Sequence, residues 1–383
     1  MFLVSRFPYP LEKGDKLRAF HQLKELSTHY NVTLIALTDR TVPQKDIKVV
    51  QQYCKDLHLY KISGWQIFFG LFRSLLNGNP FQVGYFYHPG IAKKIKKVIE
   101  DRNFHHIYCQ LIRTTEYVKK FHLHTKTLDY MDALGYGMVK RSEIQPVYKR
   151  WIYRSEAKRL LAYEQHIFDY FDLHTIISDQ DKKRIRHPET EKIKVIPNGI
   201  DSSFFETTER KEVYDLVFVG NMSYAPNINA VEFLANEILP ELPGIQLLIA
   251  GASPDPRVKK LASENIIISG WVDDIRTSYT SAKIFVAPMR IGTGLQNKLL
   301  EAMALGTPCI TTTIVNNALH ANNGEELIIS NSKDEIIKAI HTLLKNNELR
   351  ERIAQNARTF VKTNYNWKNS VNELSQQINS LIK

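Results

Sequence analysis

The chain has 383 residues, 43% of them hydrophobic and 24% charged, which is more than one core usually holds, so two domains of about 190 residues each are expected. Its three cysteines, Cys54, Cys109 and Cys309, stand apart without a C-x-x-C pair, which excludes a disulfide framework or structural zinc site and fits a reducing cytoplasm. The formal charge of +11 favours an acidic partner such as a phosphorylated substrate or anionic lipid; without a helix-turn-helix, zinc-finger or RNA-recognition signature, nucleic acid is not expected.

At the start, Met1 to Val4 is too short an apolar run for a secretory segment, and no stretch approaches the roughly 18 apolar residues of a membrane span. Phe2 to Ser5 reads as a strand. Pro8 to Gly14 is a loop, and Asp15 is placed to cap a helix striped by Leu17, Phe20, Leu23 and Leu26. A strand from Val32 to Ala36 completes a β-α-β unit.

The stretch from Gly64 to Leu76 is the most aromatic in the chain. Soon after it, Ile91, Ile95, Val98 and Ile99 share one helical face and four lysines the other. Two readings stand: an ordinary amphipathic helix packed on the sheet, which the pattern favours, or a docking element for an anionic membrane surface. Ile107 to Cys109 and Thr127 to Asp132 read as later strands. Asp132 falls at a carboxyl edge, where open α/β sheets bind ligands; it also reads as a turn or cap residue. His105 and His106 have no partner visible in the sequence.

Glu156 to Phe171 is helical and leads to the strand Leu173 to Ser178. Asp179-Gln-Asp181 reads as a helix start with a capping aspartate rather than a metal pair, because Lys182, Lys183 and Arg184 follow at once. Asn198-Gly199 marks a turn at the domain junction. Strands at Asp215 to Val219, Ile245 to Ala250, Ile266 to Ser269 and Ile284 to Ala287 alternate with helices, the pattern of a doubly wound parallel sheet. Three of them stop at a glycine: Gly220, Gly251 and Gly270. Ser332 to Lys345, Glu348 to Lys362 and Trp367 to Ile382 read as amphipathic helices.

The centre of the chain is the run from Phe285 to Thr312, read as strand, glycine turn, helix and second strand. Gly292 and Gly294 let backbone N–H groups approach a ligand, and a helix from near Leu295 aims its positive end at the same place, a seat for phosphate. Arg290 and Lys298 are placed to add positive charge. Glu301, about 9 Å along the helix axis from Leu295, is placed to receive a diol such as a ribose presents. A plainer reading keeps this helix in the core, ended by Gly306 and Pro308, with Glu301 solvated and Lys298 its surface partner.

Glu301-Ala-Met-Ala-Leu-Gly-Thr-Pro308 resembles the E-A-M-A-x-G-x-P segment of family 4 glycosyltransferases, retaining enzymes of the GT-B fold. Gly294 to Glu301, Arg6 to Pro10, Lys13 to Arg18 and Asn221 to Asn227 resemble the exosortase-associated (PEP-CTERM) sugar-transferase branch. The resemblance implies an α/β chain of two Rossmann-like, doubly wound parallel-sheet domains facing across a cleft. The boundaries are an acceptor-side domain at 1–195, a hinge at 196–213, a nucleotide-sugar domain at 214–364, and a helix at 365–383 crossing back to the first domain.

On that basis the donor site comprises the turn Gly220-Asn221, the nucleobase loop with Trp271 and Val272, and Arg290, Gly292, Thr293, Gly294, Leu295, Gln296, Lys298 and Glu301. Gly14, Asp15 and Arg18 belong to the acceptor-side cleft, with Arg18 a ligand for donor or acceptor phosphate, and Asp132 is the catalytic candidate. Three departures from the family pattern stand out. Met131 replaces a histidine, Thr293 replaces the first carboxylate of a pair, and Met222, Ser223 and Tyr224 occupy a segment where an arginine and a lysine are common.

The implied function is metal-independent, cofactor-free transfer of a sugar from a nucleotide-diphosphate donor to a saccharide or lipid-linked acceptor. This would take place in the cytoplasm or at the inner face of the membrane, during cell-surface polysaccharide synthesis. A sugar-nucleotide epimerase and a catalytically silent sugar-nucleotide sensor are the alternatives.

Overall fold

The computed structural model describes residues 1–143, 145–206, 210–291 and 295–382. It divides into one unit of Met1–Pro197 with Trp367–Lys383 and a second of Asn198–Asn366.

The first unit is built on seven strands: β1 (Phe2–Val4), β2 (Thr33–Thr38), β3 (Asp56–Lys61), β4 (His106–Gln110), β5 (Thr125–Asp129), β6 (Leu173–Ile176) and β7 (Lys194–Val195). Their order is β3-β2-β1-β4-β5-β6-β7, and every pairing is parallel. All six residues of β2 are buried, as a strand covered on both faces requires. At the edge, β3 is only half-buried along most of its length. Helix Trp367–Ile382 places Val371, Leu374 and Ile378 in a core shared with Phe2, Val4, Leu34 and Ala36.

The second unit holds β8 (Tyr214–Val219), β9 (Leu247–Ala250), β10 (Ile266–Gly270), β11 (Ala282–Ala287), β12 (Cys309–Thr311) and β13 (Ile328–Ile329). Their order is β10-β9-β8-β11-β12-β13, again parallel throughout. The fold class expected from the sequence is therefore present: two doubly wound parallel sheets. In each, the unit's first strand lies between its second and fourth, so the chain reverses winding there and leaves a crevice at the carboxyl edge. In the second unit the crevice falls between β8 and β11.

Two local expectations are corrected. The first helix, Gly14–Leu26, has Lys13 rather than Asp15 at its N-cap. Asp15 is instead tied by Arg6, and by Arg113 at 3.4 Å. The helix expected from Glu156 starts at Val147, directly after Pro146, whose fixed φ and missing N–H suit a helix entrance.

Candidate functional site

The carboxyl edge of the second sheet is assembled from strand ends that have no side chain. The Gly220 N–H donates to Ala250 O at 3.0 Å, and the Gly251 N–H donates to Gly270 O at 3.0 Å. Gly251 has φ +135°, and a Cβ added there would lie 1.9 Å from Gly220 O. That contact is backbone against backbone and cannot yield, and the φ is one that L side chains rarely adopt. Gly251→Ala is therefore expected to destabilise the second unit by about 2–4 kcal/mol and to spread the turn after β8. Urea unfolding followed with and without a nucleotide ligand measures both effects.

Asn221 shapes that turn through its own side chain: Oδ1 accepts from the Ser223 N–H at 2.9 Å and from the Ser223 hydroxyl at 2.7 Å, an Asx turn. Asn227, on helix Ala225–Phe233, is 4% exposed. Its Nδ2 donates to Asn221 O at 2.9 Å, while its Oδ1 accepts from Lys298 Nζ. One amide thus joins the β8 turn to the lysine that follows β11. A Cβ on Gly220 would come within 2.6 Å of this amide, so the bare backbone at 220 is what lets Asn227 fit.

The segment leaving β11 is held from β12. The Thr311 hydroxyl donates to Ala287 O at 3.0 Å, and the Thr312 hydroxyl to Met289 O at 2.7 Å. The helix behind it runs Asn297–Ala304, with extended Gln296 as its N-cap and, among the described residues, no side chain capping the first turn. It begins two residues later than the start near Leu295 read from the sequence, and Leu295 packs partly buried against the core. Gly292, Thr293 and Gly294 lie outside the described residues.

Lys298 and Glu301 sit one turn apart on this helix, and neither is an ordinary surface residue. Lys298 Nζ lies 4.8 Å from the centre of the Phe218 ring and 3.8 Å from Met289 Sδ. Burial lowers its pKa to about 7, with Glu301 pulling the other way. Glu301 Oε2 accepts from the Tyr279 hydroxyl at 2.7 Å. Burial raises the Glu301 pKa, opposed by that hydrogen bond and by Lys298. The residue is nonetheless half-exposed, while Tyr279 is fully buried. The reading of Glu301 as solvated and paired only with Lys298 is thereby corrected: one oxygen of its carboxylate is anchored on the buried Tyr279 hydroxyl.

The remaining donor-side candidates are placed as follows. Trp271, directly after β10, is 64% exposed and so is not core; Val272 beside it is half-buried. Arg290 stacks its guanidinium 4.2 Å from the Phe233 ring centre and lies 3.7 Å from Glu237, so part of its charge is matched within the protein.

In the first unit, Gly14 is exposed and an added Cβ there would meet nothing within 4 Å. Arg18 is corrected outright. It is 0% exposed, with Nε 2.6 Å from Asp129 Oδ2 and Nη2 3.2 Å from Oδ1, which makes it a core ion pair and not a phosphate ligand.

Asp132 lies beyond the carboxyl end of β5, half-buried. Its pKa is raised to about 7, first by burial and then by the charge of Asp181, against Arg18 and Arg113. Met131 before it is 4% exposed and has a left-handed φ of 61°, a conformation that costs a non-glycine residue energy and turns the chain sharply. Asp179–Lys182 is a short helix whose cap is Ser178, not an aspartate. Asp181 pairs with Arg184 at 3.1 Å and faces the Ala133 N–H.

The sequence reading missed Asn227, Tyr279, Phe218 and Asp181 as site residues. Asn227 lay within a quoted motif, yet nothing local pointed to its lysine.

The architecture of two parallel sheets, each wound about its first strand, is that of the GT-B glycosyltransferases. Residues 214–346 match the family model described as Glycosyl transferases group 1. Over 94% of its length the chain is 25% identical to a Klebsiella pneumoniae protein described as an uncharacterized 44.6 kDa protein in the cps region, covering 95% of that protein. Sucrose-phosphate synthase from Thermosynechococcus elongatus shares the fold with a TM-score of 0.75 and 16% identity, over 99% of this chain and 98% of that one. HepE of Anabaena in complex with UDP does so with a TM-score of 0.68 and 12% identity, over 99% of both chains.

Proposed function

We propose that the chain is a glycosyltransferase that moves a sugar from a nucleotide-diphosphate sugar to a saccharide or lipid-linked acceptor in cell-surface polysaccharide synthesis. The observation that carries this reading is the Asn221–Asn227–Lys298 connection, with Glu301 anchored one turn away. It sets a cation and a carboxylate at the β8/β11 crevice, a place where open α/β sheets take nucleotides. Support also comes from the group 1 match over this unit and from the UDP complex of the Anabaena relative in fold.

In this reading the diphosphate lies against the Gly220-Asn221 turn, Lys298 and the entrance of helix Asn297–Ala304. Glu301 accepts two hydroxyls of the ribose, and Trp271 stacks on the base. Negative charge developing on the leaving diphosphate is met by Lys298 and the helix dipole. No divalent ion is needed for that, and the anomeric configuration is retained. Asp132, near neutral pKa, is the group suited to exchange a proton at the acceptor.

The test is a panel of UDP-, GDP- and ADP-sugars incubated with and without acceptor lipid extract, with free nucleotide diphosphate as the readout. Release that depends on both donor and acceptor is expected. Donor binding without release would replace the transferase with a sensor, and isomerised sugar without release would replace it with an epimerase.

A further inference from the structure

Helix Gly64–Asn77 is packed inside out. Its small residues face the protein: Ser74 is buried, a Cβ added at Gly70 would come within 2.2 Å of Gly84 O, and one added at Gly84 within 1.9 Å of Ser74 Oγ. These glycines let the helix lie directly on helix Phe81–Phe86. The bulky residues face out: Trp65, Phe68, Phe69, Phe72, Leu75 and Leu76 are each 53% to 75% exposed. Their spacing of three and four residues makes a continuous stripe.

The helix is firmly terminated by a Ser63/Gln66 capping box and by Gly78 in left-handed conformation. Its outer face is therefore a fixed surface. At 14 residues, about 21 Å, it is too short to cross a bilayer.

A second apolar group adjoins it. Glu156 accepts from the Phe81 and Gln82 N–H groups, and Arg159 donates to Ser74 O and Asn79 O, which lays helix Val147–Phe168 beside the end of the aromatic helix. On its first turns Val147, Tyr148, Trp151 and Ile152 are exposed. Isolated apolar side chains on a surface are ordinary; ten on two adjoining helices mark an interaction site.

Charge decides what fits there. From Leu57 to Ile99 the sequence has no aspartate or glutamate but six basic residues, Lys61, Arg73, Lys93, Lys94, Lys96 and Lys97. From Val147 to Ser155 it again has no acid, and Lys149, Arg150 and Arg154 lie among the exposed apolar residues. A second copy of the chain would set these cations against their own kind. The basic helix Pro89–Glu100, weighed above as a docking element, buries Ile91, Ile95 and Ile99 in the core, as its favoured packed reading expects, and exposes Lys93, Lys94, Lys96 and Lys97, with Lys96 3.5 Å from Glu100, so it contributes charge and not insertion.

We infer that the outer face of Gly64–Asn77, together with the first turns of Val147–Phe168, is a docking surface for a lipid bilayer rich in anionic headgroups. The aromatic side chains enter the headgroup and acyl boundary while the flanking cations meet lipid phosphates. This assignment is independent of the sugar-transfer reading.

The test is co-sedimentation of the full chain with vesicles of phosphatidylcholine alone or with about a third phosphatidylglycerol, neither containing any acceptor lipid. The wild-type chain is expected to pellet with the anionic vesicles at least about tenfold more tightly than with the neutral ones, and less so at high salt. Phe68→Ser/Phe72→Ser and Trp151→Ser should each weaken anionic binding by about tenfold; because these side chains are exposed, the melting temperature should stay unchanged. The inference is overturned if the wild-type chain stays in the supernatant with anionic vesicles, or if the variants bind as tightly. A dimer that the variants dissolve, with no vesicle binding, would overturn it as well.

Discussion

Replacing Lys298 by methionine is expected to lower sugar transfer about 10²- to 10³-fold, the range found when one preorganised donor to a developing negative charge is removed. Methionine fills similar space, so packing on Phe218 and Met289 is largely kept and the loss reports charge and hydrogen bonding. The pH behaviour gives a sharper signature. The amine's pKa is lowered to about 7 in the unliganded chain, against about 10.4 in an unfolded one. Between those values the unfolded chain holds more protons, so this group makes the unliganded protein gain stability as pH rises from about 7 towards 10.

Donor binding runs the other way. A bound diphosphate favours the ammonium, so above pH about 7 binding must take up a proton, and affinity falls by up to about tenfold per pH unit. Calorimetry of UDP-sugar binding in buffers of different ionisation enthalpy should show that uptake in the wild-type chain and none in Lys298→Met. Equal proton uptake in both would remove Lys298 from the diphosphate site.

Which parts of this site could be read in advance follows from the range of the interactions. Strands of parallel sheets are buried on both faces and stand out as short apolar runs, so β1, β2, β8 and β11 were found within a residue or two. The edge strand Asp56–Lys61 was not, because a half-buried strand is neither an apolar run nor a clear alternation. The glycines that end β9 and β10 were informative for a covalent reason: both hold positive φ. The start of helix Val147–Phe168 was missed because its outer apolar residues are exposed and break the amphipathic stripe. Lys298 and Glu301 were visible as a pair one turn apart. Their fixing partners are 71 residues away in Asn227 and 22 away in Tyr279, and pairings of that range leave no local trace.

Arg18 shows the same limit with a larger energetic consequence. Three residues after Asp15 at the start of the first helix, it is read through the family resemblance as a ligand for donor or acceptor phosphate. In the structure it is fully buried and bonded through two nitrogens to Asp129, 111 residues on. Asp129 is a hub: it also accepts from the Tyr108 hydroxyl at 3.1 Å, the Thr175 hydroxyl at 3.0 Å and the Met131 N–H at 3.3 Å. Arg18→Met leaves that carboxylate in the core without its countercharge, which is expected to cost about 3–5 kcal/mol. Replacing both residues by leucine should not restore stability, since Tyr108 and Thr175 would then be left with unsatisfied buried hydroxyls.

Urea unfolding should show the loss in the transition of the first unit, which contains β1, β4 and β5. Donor affinity, measured by calorimetry at low temperature where Arg18→Met is still folded, should be unchanged, because the candidate donor residues lie in Asn198–Asn366. A phosphate-binding arginine would give the reverse result, weakened donor binding in a chain of undiminished stability, and that outcome would return Arg18 to the substrate.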